Sequence, residues 1–332
     1  MKQIPAYFLA VAILMSALIT YFVTKATTEN VITPSNTDTD VSSCNNFDLI
    51  RLKGYKYVDP LLFAERDCEA TTLKPLEQEI SAYIDNQKQS GKLVSASVYI
   101  RTLDDGEWTD VNPDEQYHPA SLLKLPVLFT FARMAETKPE ILNEKVLFKQ
   151  HDSSLPKQMF PSKSLEPGHT YTIRELLQYL IAYSDNDALY LLYNYHNPDV
   201  YKKVFADLNV PMPNTDRDDA GITVKEYSTF LKVLYNGTYL SLASSEFALS
   251  YLAESDFKNG VVKGLPANTT VAHKFGEYFK GNYCELHESA IVYLGGKKDF
   301  LITIMTKGTD MKVLSDVLGN ISNITYNFVS KP

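Results

Sequence analysis

Apolar residues recur along this chain with two periods, and the change of period divides it. Leu76, Ile80, Tyr83 and Ile84 fall three or four apart and stop at Gly91, which predicts a helix. Residues 93–103 alternate and are rich in Val, Ser and Ile, which predicts a strand, with 107–111 as its hairpin partner across Asp104-Asp105-Gly106. The helical period then returns over 121–136, 172–184, 187–195, 200–208, 223–235 and 244–254. Thr172 and Glu175 have the spacing of a capping box. Beyond Asn268 the period falls back to two, predicting strands over 270–275, 284–294 and 300–306, and 310–328 closes the chain as a helix. This order predicts an α+β domain. Strands from both ends form one antiparallel sheet flanked by helices, and an all-helical lobe is inserted between them. Sites commonly fall in the crevice between two such lobes.

Ahead of this domain, residues 4–23 carry no charge and follow Met1-Lys2-Gln3. A helix of that length matches the roughly 30 Å hydrocarbon core of a bilayer. It exceeds the apolar segment of about 7–15 residues typical of a cleaved signal peptide. Residues 1–26 therefore read as an uncleaved signal anchor, with cleavage after Ala26 as the alternative. Lys2 and the α-amine favour a cytoplasmic N-terminus, which leaves the rest extracytoplasmic, at the cell surface or in the periplasm. Residues 27–46, rich in Thr, Ser, Asn and Asp, read as a stalk. Residues 47–70 have aromatics but no readable period, so 27–72 is taken as stalk and linker and 73–332 as the catalytic domain.

Composition narrows the function. The formal charge of −8 argues against nucleic acid. The six histidines are scattered and there is no Cys-x-x-Cys, so neither a metal nor another cofactor is expected. Cys44 and Cys68 flank the linker and can bridge in an oxidising compartment, although two free thiols fit equally well. Cys284 lies in a strand-like run and reads as a small core residue.

Candidate chemistry begins at Ser121-Leu122-Leu123-Lys124. Positions i and i+3 on a helix share a face, so an amine stands beside a hydroxyl. A serine needs a neighbouring base to become a nucleophile, and a lysine held neutral by burial can serve. The pattern alone is weak, because Ser154-Leu155-Pro156-Lys157 also matches. The latter has proline inside the turn and reads as loop. Ser184-Asp185-Asn186 between two helices and Lys274-Phe275-Gly276 at the end of a strand complete an ordered set.

This set resembles the penicillin-recognising serine enzymes, most closely the class A β-lactamase-like family, over residues 73–332. Val271-Ala272-His273-Lys274 and Glu288-Ser289-Ala290-Ile291-Val292-Tyr293 look like that family too. The resemblance implies that Ser121 is acylated and that Lys124 is its base or part of the proton path. It implies that Ser184 relays a proton to the leaving nitrogen and that Asn186 binds a substrate amide. Lys274 and Gly276 would lie at the substrate, and Lys274 would supply positive charge to its carboxylate. The N–H groups of Ser121 and Glu277 would form the oxyanion hole. Substrates would be small β-lactams or cell-wall peptides.

Two departures stand out. Phe275 replaces the family's hydroxyl residue, so its bulk is expected to narrow the cleft. A deacylating glutamate is also missing. The matching region has Asp207, one residue out of place, and Asp216, Asp218 and Asp219, which read as a solvated or capping cluster. Acylation is therefore expected to outrun deacylation. A non-catalytic binding module and an esterase- or peptidase-like enzyme of altered specificity remain open alternatives.

Overall fold

Five antiparallel strands form the central sheet of the computed structural model, which describes residues 46–91, 93–156, 158–160, 162–214, 221–296 and 298–331. They are β3 (Leu93–Thr102), β4 (Trp108–Val111), β7 (Thr270–Lys280), β8 (Tyr283–Tyr293) and β9 (Phe300–Gly308), in the order β4-β3-β9-β8-β7. Strands from both ends of the domain thus share one sheet, with β9 pairing to β3 through partners such as Tyr99 and Thr303. β7 is an edge strand and runs to Lys280, beyond the end expected at Phe275.

Both faces of the sheet are covered. Helices α1 (Lys74–Gln89) and α8 (Met311–Val329) bury Leu76, Ile80, Leu314 and Leu318 against Val98, Leu286 and Ile304. Each such side chain contributes about 1.5–3 kcal/mol on leaving water. The other face meets the helical lobe: α2 (Lys124–Thr137), α3 (Ile173–Ala182), α4 (Asn186–Tyr193), α5 (Pro198–Asp207), α6 (Val224–Tyr235) and α7 (Leu242–Ala253). Every α2 residue from Lys124 to Ala132 except Val127 is buried, the pattern of a helix inside a bundle. A short pair, β5 (Lys145–Leu147) and β6 (Thr170–Thr172), leads into α3, whose capping box at Thr172 and Glu175 forms as expected.

Residues 46–66, taken from the sequence as linker, fold as a hairpin on the domain. β1 (Phe47–Arg51) pairs with β2 (Leu61–Arg66), and Leu52, Leu62 and Phe63 join the core of the helical lobe. Glu65 is buried and accepts from Lys232 Nζ at 3.0 Å, with Arg101 at 3.3 Å. A charge buried this way is held by its partners. The folded domain accordingly includes the hairpin from residue 46. Cys68 is disulfide-bonded and Cys284 is a buried free thiol. Cys44, the expected 1–26 anchor and all of the expected 27–46 stalk but Asn46 lie outside the described residues. Among the described residues no helix is long and apolar enough to cross a membrane.

Candidate active site

Ser121 stands on a 3-10 turn, Ala120–Leu123, that runs directly into α2 at Lys124. In a 3-10 turn residues i and i+3 eclipse, which keeps Ser121 and Lys124 on one side. Ala120 enters the turn at φ 49°, a left-handed backbone that L-residues avoid. The turn is clamped by Leu122 N–H to the Pro119 carbonyl at 3.0 Å and by Tyr227 Oη donating to the Leu122 carbonyl at 2.9 Å. Ser121 is half-buried and Lys124 is buried.

Ser184 is wholly buried and is the second non-glycine residue of the site with positive φ, at 53°. Strain of this kind persists where the surroundings fix it, commonly at functional sites. Its Oγ accepts from Lys124 Nζ at 3.1 Å and from Lys274 Nζ at 2.9 Å. With both lone pairs engaged, the hydroxyl proton is left as a donor. Lys124 also donates to the Ser184 carbonyl and to Asn186 Oδ1 at 2.7 Å, so all three ammonium protons go to these two residues and none to Ser121. Burial lowers the Lys124 pKa to about 7, against the opposing pull of Asp185 and Glu277. Burial, then the neighbouring Lys124 charge, holds Lys274 well below its ordinary range. Asp185 does a helix-capping job, accepting from Ala188 N–H at 2.7 Å and Leu165 N–H at 3.1 Å.

The β7 edge passes against the Ser121 turn at Gly276. A Cβ there would lie 3.1 Å from Leu122 N and 3.2 Å from the Pro119 carbonyl oxygen, which explains the glycine. Lys274 Nζ bonds the Phe275 carbonyl at 2.8 Å. Phe275 itself does not narrow the cleft. Its ring is 1% exposed and stacks on Phe257 at 4.1 Å, with Phe160 edge-on to Phe257.

A strap that the sequence did not reveal, with contacts from Pro156 and residues 158–160, crosses the site. The Pro156 carbonyl accepts from Asn186 Nδ2 at 2.9 Å, and Gln158 Nε2 donates to the Ser184 carbonyl. Met159 N–H donates to Glu277 Oε1 at 2.8 Å. Asn186, expected to hold a substrate amide, thus has its own amide engaged at both ends. No periodicity marked this segment. Its only signal was the second Ser-x-x-Lys match, and Ser154 Oγ there bonds Asp152 in a local turn at 2.6 Å. Asp207 is also committed elsewhere, to Lys203 at 2.6 Å and Tyr239 Oη at 2.9 Å. Asp216, Asp218 and Asp219 lie outside the described residues. Among the described residues no group of three or more His, Cys, Asp or Glu is arranged to hold a metal.

The fold thus gathers Lys124, Ser184, Asn186 and Lys274 by direct contact, and Gly276 and Glu277 bring β7 to the Ser121 turn. The fold is shared with known proteins. Extended-spectrum β-lactamase PER-1 of Pseudomonas aeruginosa is 22% identical over 73% of this chain and 84% of its own length. The TLA-1 extended-spectrum β-lactamase has the same fold, with TM-score 0.67 and 17% identity over 79% of this chain and 100% of its own. A mutant of PBP-A, solved as an acyl-enzyme complex with penicillin G, matches with TM-score 0.64 and 20% identity over 77% of this chain and 96% of its own. The family model described as Beta-lactamase enzyme family matches residues 75–329, and the chain belongs to that family.

Proposed function

We propose that this protein is an extracytoplasmic serine hydrolase, tethered through residues 1–26, that forms an acyl-enzyme on β-lactams or related cell-wall peptides and releases it slowly. The observation that carries this reading is the convergence of Lys124 and Lys274 on Ser184 Oγ beside the Ser121 turn. Neutral Lys124 takes the Ser121 proton as Oγ bonds to the acyl carbon. The proton then passes through Ser184 to the departing nitrogen as the C–N bond breaks. N–H groups of Ser121 and Glu277 stabilise the oxyanion, and such donors are worth about 3–4 kcal/mol of barrier. Slow release is supported by Asp207, the nearest carboxylate to the matching position, being tied to Lys203 and Tyr239.

Intact-protein mass after exposure to a fluorescent penicillin tests this. A long-lived adduct that disappears in Ser121→Ala supports it, and an adduct that survives the substitution removes the nucleophile. The buried Phe275 and the strap favour an esterase- or peptidase-like specificity as a second reading. Labelling by a fluorophosphonate probe but not by penicillin would establish that reading instead.

A further inference from the structure

The Glu277 side chain occupies the cationic corner of the site. Its carboxylate lies within electrostatic reach of both Lys274 and Lys124 and is half-buried beside the Ser121 turn. Oε1 takes the Met159 N–H at 2.8 Å, and the Phe160 N–H of the same strap also bonds the carboxylate. Two positions earlier on β7, the ring of Phe275 is packed into the Phe257 stack and offers no polar group. The corner that could neutralise an incoming anion therefore already contains one. Burial raises the Glu277 pKa, against the pull of the strap N–H groups and the two lysines, and those same partners favour its anionic form.

With Ser121 as the acylated residue, as proposed above, we infer that Glu277 is a specificity-determining residue. It selects acyl donors that are neutral next to the scissile bond over donors carrying a carboxylate there. A fixed negative charge in a half-buried site repels a second one far more than it would in water. Discrimination of this kind works by penalising the wrong ligand.

The test compares penicillin G with its methyl ester, which differ in one charge. Second-order acylation rates of the full chain are read by intact mass and normalised to each compound's reactivity with hydroxide. The unmodified protein reacts faster with the ester. Glu277→Gln, which keeps the acceptor for Met159 N–H and removes the charge, shifts the acid-to-ester ratio about tenfold toward the acid. Glu277→Asp keeps the original preference. Equal normalised rates on the unmodified protein, or an unchanged ratio in Glu277→Gln, overturn the assignment while leaving Ser121 in place. No adduct from either compound on any of the proteins overturns the nucleophile and this assignment together.

Discussion

Lys124 and Lys274, 150 positions apart in the chain, point their amines at one oxygen, Ser184 Oγ, at 3.1 and 2.9 Å. Two ammonium groups so close are mutually unfavourable, and burial adds to the penalty on each. This arrangement holds at least one amine ready to lose its proton near neutral pH.

The pH dependence of acylation follows from that. Lys124 must be neutral to accept the Ser121 proton, and its pKa is about 7, lowered chiefly by burial. Because the base form grows as pH rises, the acylation rate should climb through pH 7 and level off above it. Stopped-flow acylation by a chromogenic cephalosporin measures this, and a rate that falls from pH 6 to 8 would exclude Lys124 as the base. The same shift has a stability consequence. The unfolded chain binds more protons at this lysine between about pH 7 and 10.5, so its contribution to stability improves as pH rises through that window.

Gly276→Ala should disable the site without unfolding the domain. The new methyl meets Leu122 N and Cγ at 3.1 Å and the Pro119 carbonyl oxygen at 3.2 Å, so the Ser121 turn must move by a few tenths of an ångström. A misplacement of about 1 Å costs on the order of a hundredfold in rate. The expected result is a tenfold or greater loss of acylation, consistent in scale with that sensitivity, and a Tm lower by a few degrees at most. Unchanged acylation would mean that β7 and the turn are not coupled.

Phe275→Thr restores a hydroxyl residue to the third motif but should not restore ordinary β-lactam binding. The ring lies in a core stack with Phe257, and its loss leaves a cavity worth about 2–4 kcal/mol. Denaturant unfolding should show that loss, with no gain in penicillin acylation. A variant as stable as the parent would contradict the stack.

Glu65→Ala probes the N-terminal hairpin. It strands Lys232, which is 2% exposed, beside Arg101, and removing one partner of a buried pair costs about 3–5 kcal/mol. Adding Lys232→Met should recover most of that stability. If both variants unfold at the parental denaturant midpoint, the hairpin is dispensable for the domain.

Much of this architecture was legible because period reports burial. β3, β8 and β9 and the helices from α1 to α8 each declared themselves by period two or 3.6, and element ends shifted by only a few residues. Two of the three motifs lie where helices begin or end, while Lys274-Phe275-Gly276 lies mid-strand in β7, which runs on to Lys280. The hairpin escaped because its apolar residues face two directions. Leu62 and Phe63 are buried on the domain while Phe47, Leu49 and Tyr57 are exposed, which blurs any alternation. The strap escaped because its contacts are made by backbone groups and one amide, which leave no pattern in residue type. The orientation of Phe275 was unreadable for a related reason, since only the position of Phe257 decides where the ring goes.

The strap makes the resting site a saturated one. Pro156, Gln158 and Met159 already bond Asn186, Ser184 and Glu277, the groups a substrate would be expected to reach. A substrate that reaches those groups as proposed must first displace the strap, which is tethered at high local concentration. Apparent affinity is the intrinsic affinity scaled by the fraction of molecules with the strap lifted. Loosening the strap, for example through Gln158→Ala, should tighten ligand binding and leave the chemical step at Ser121 unaltered.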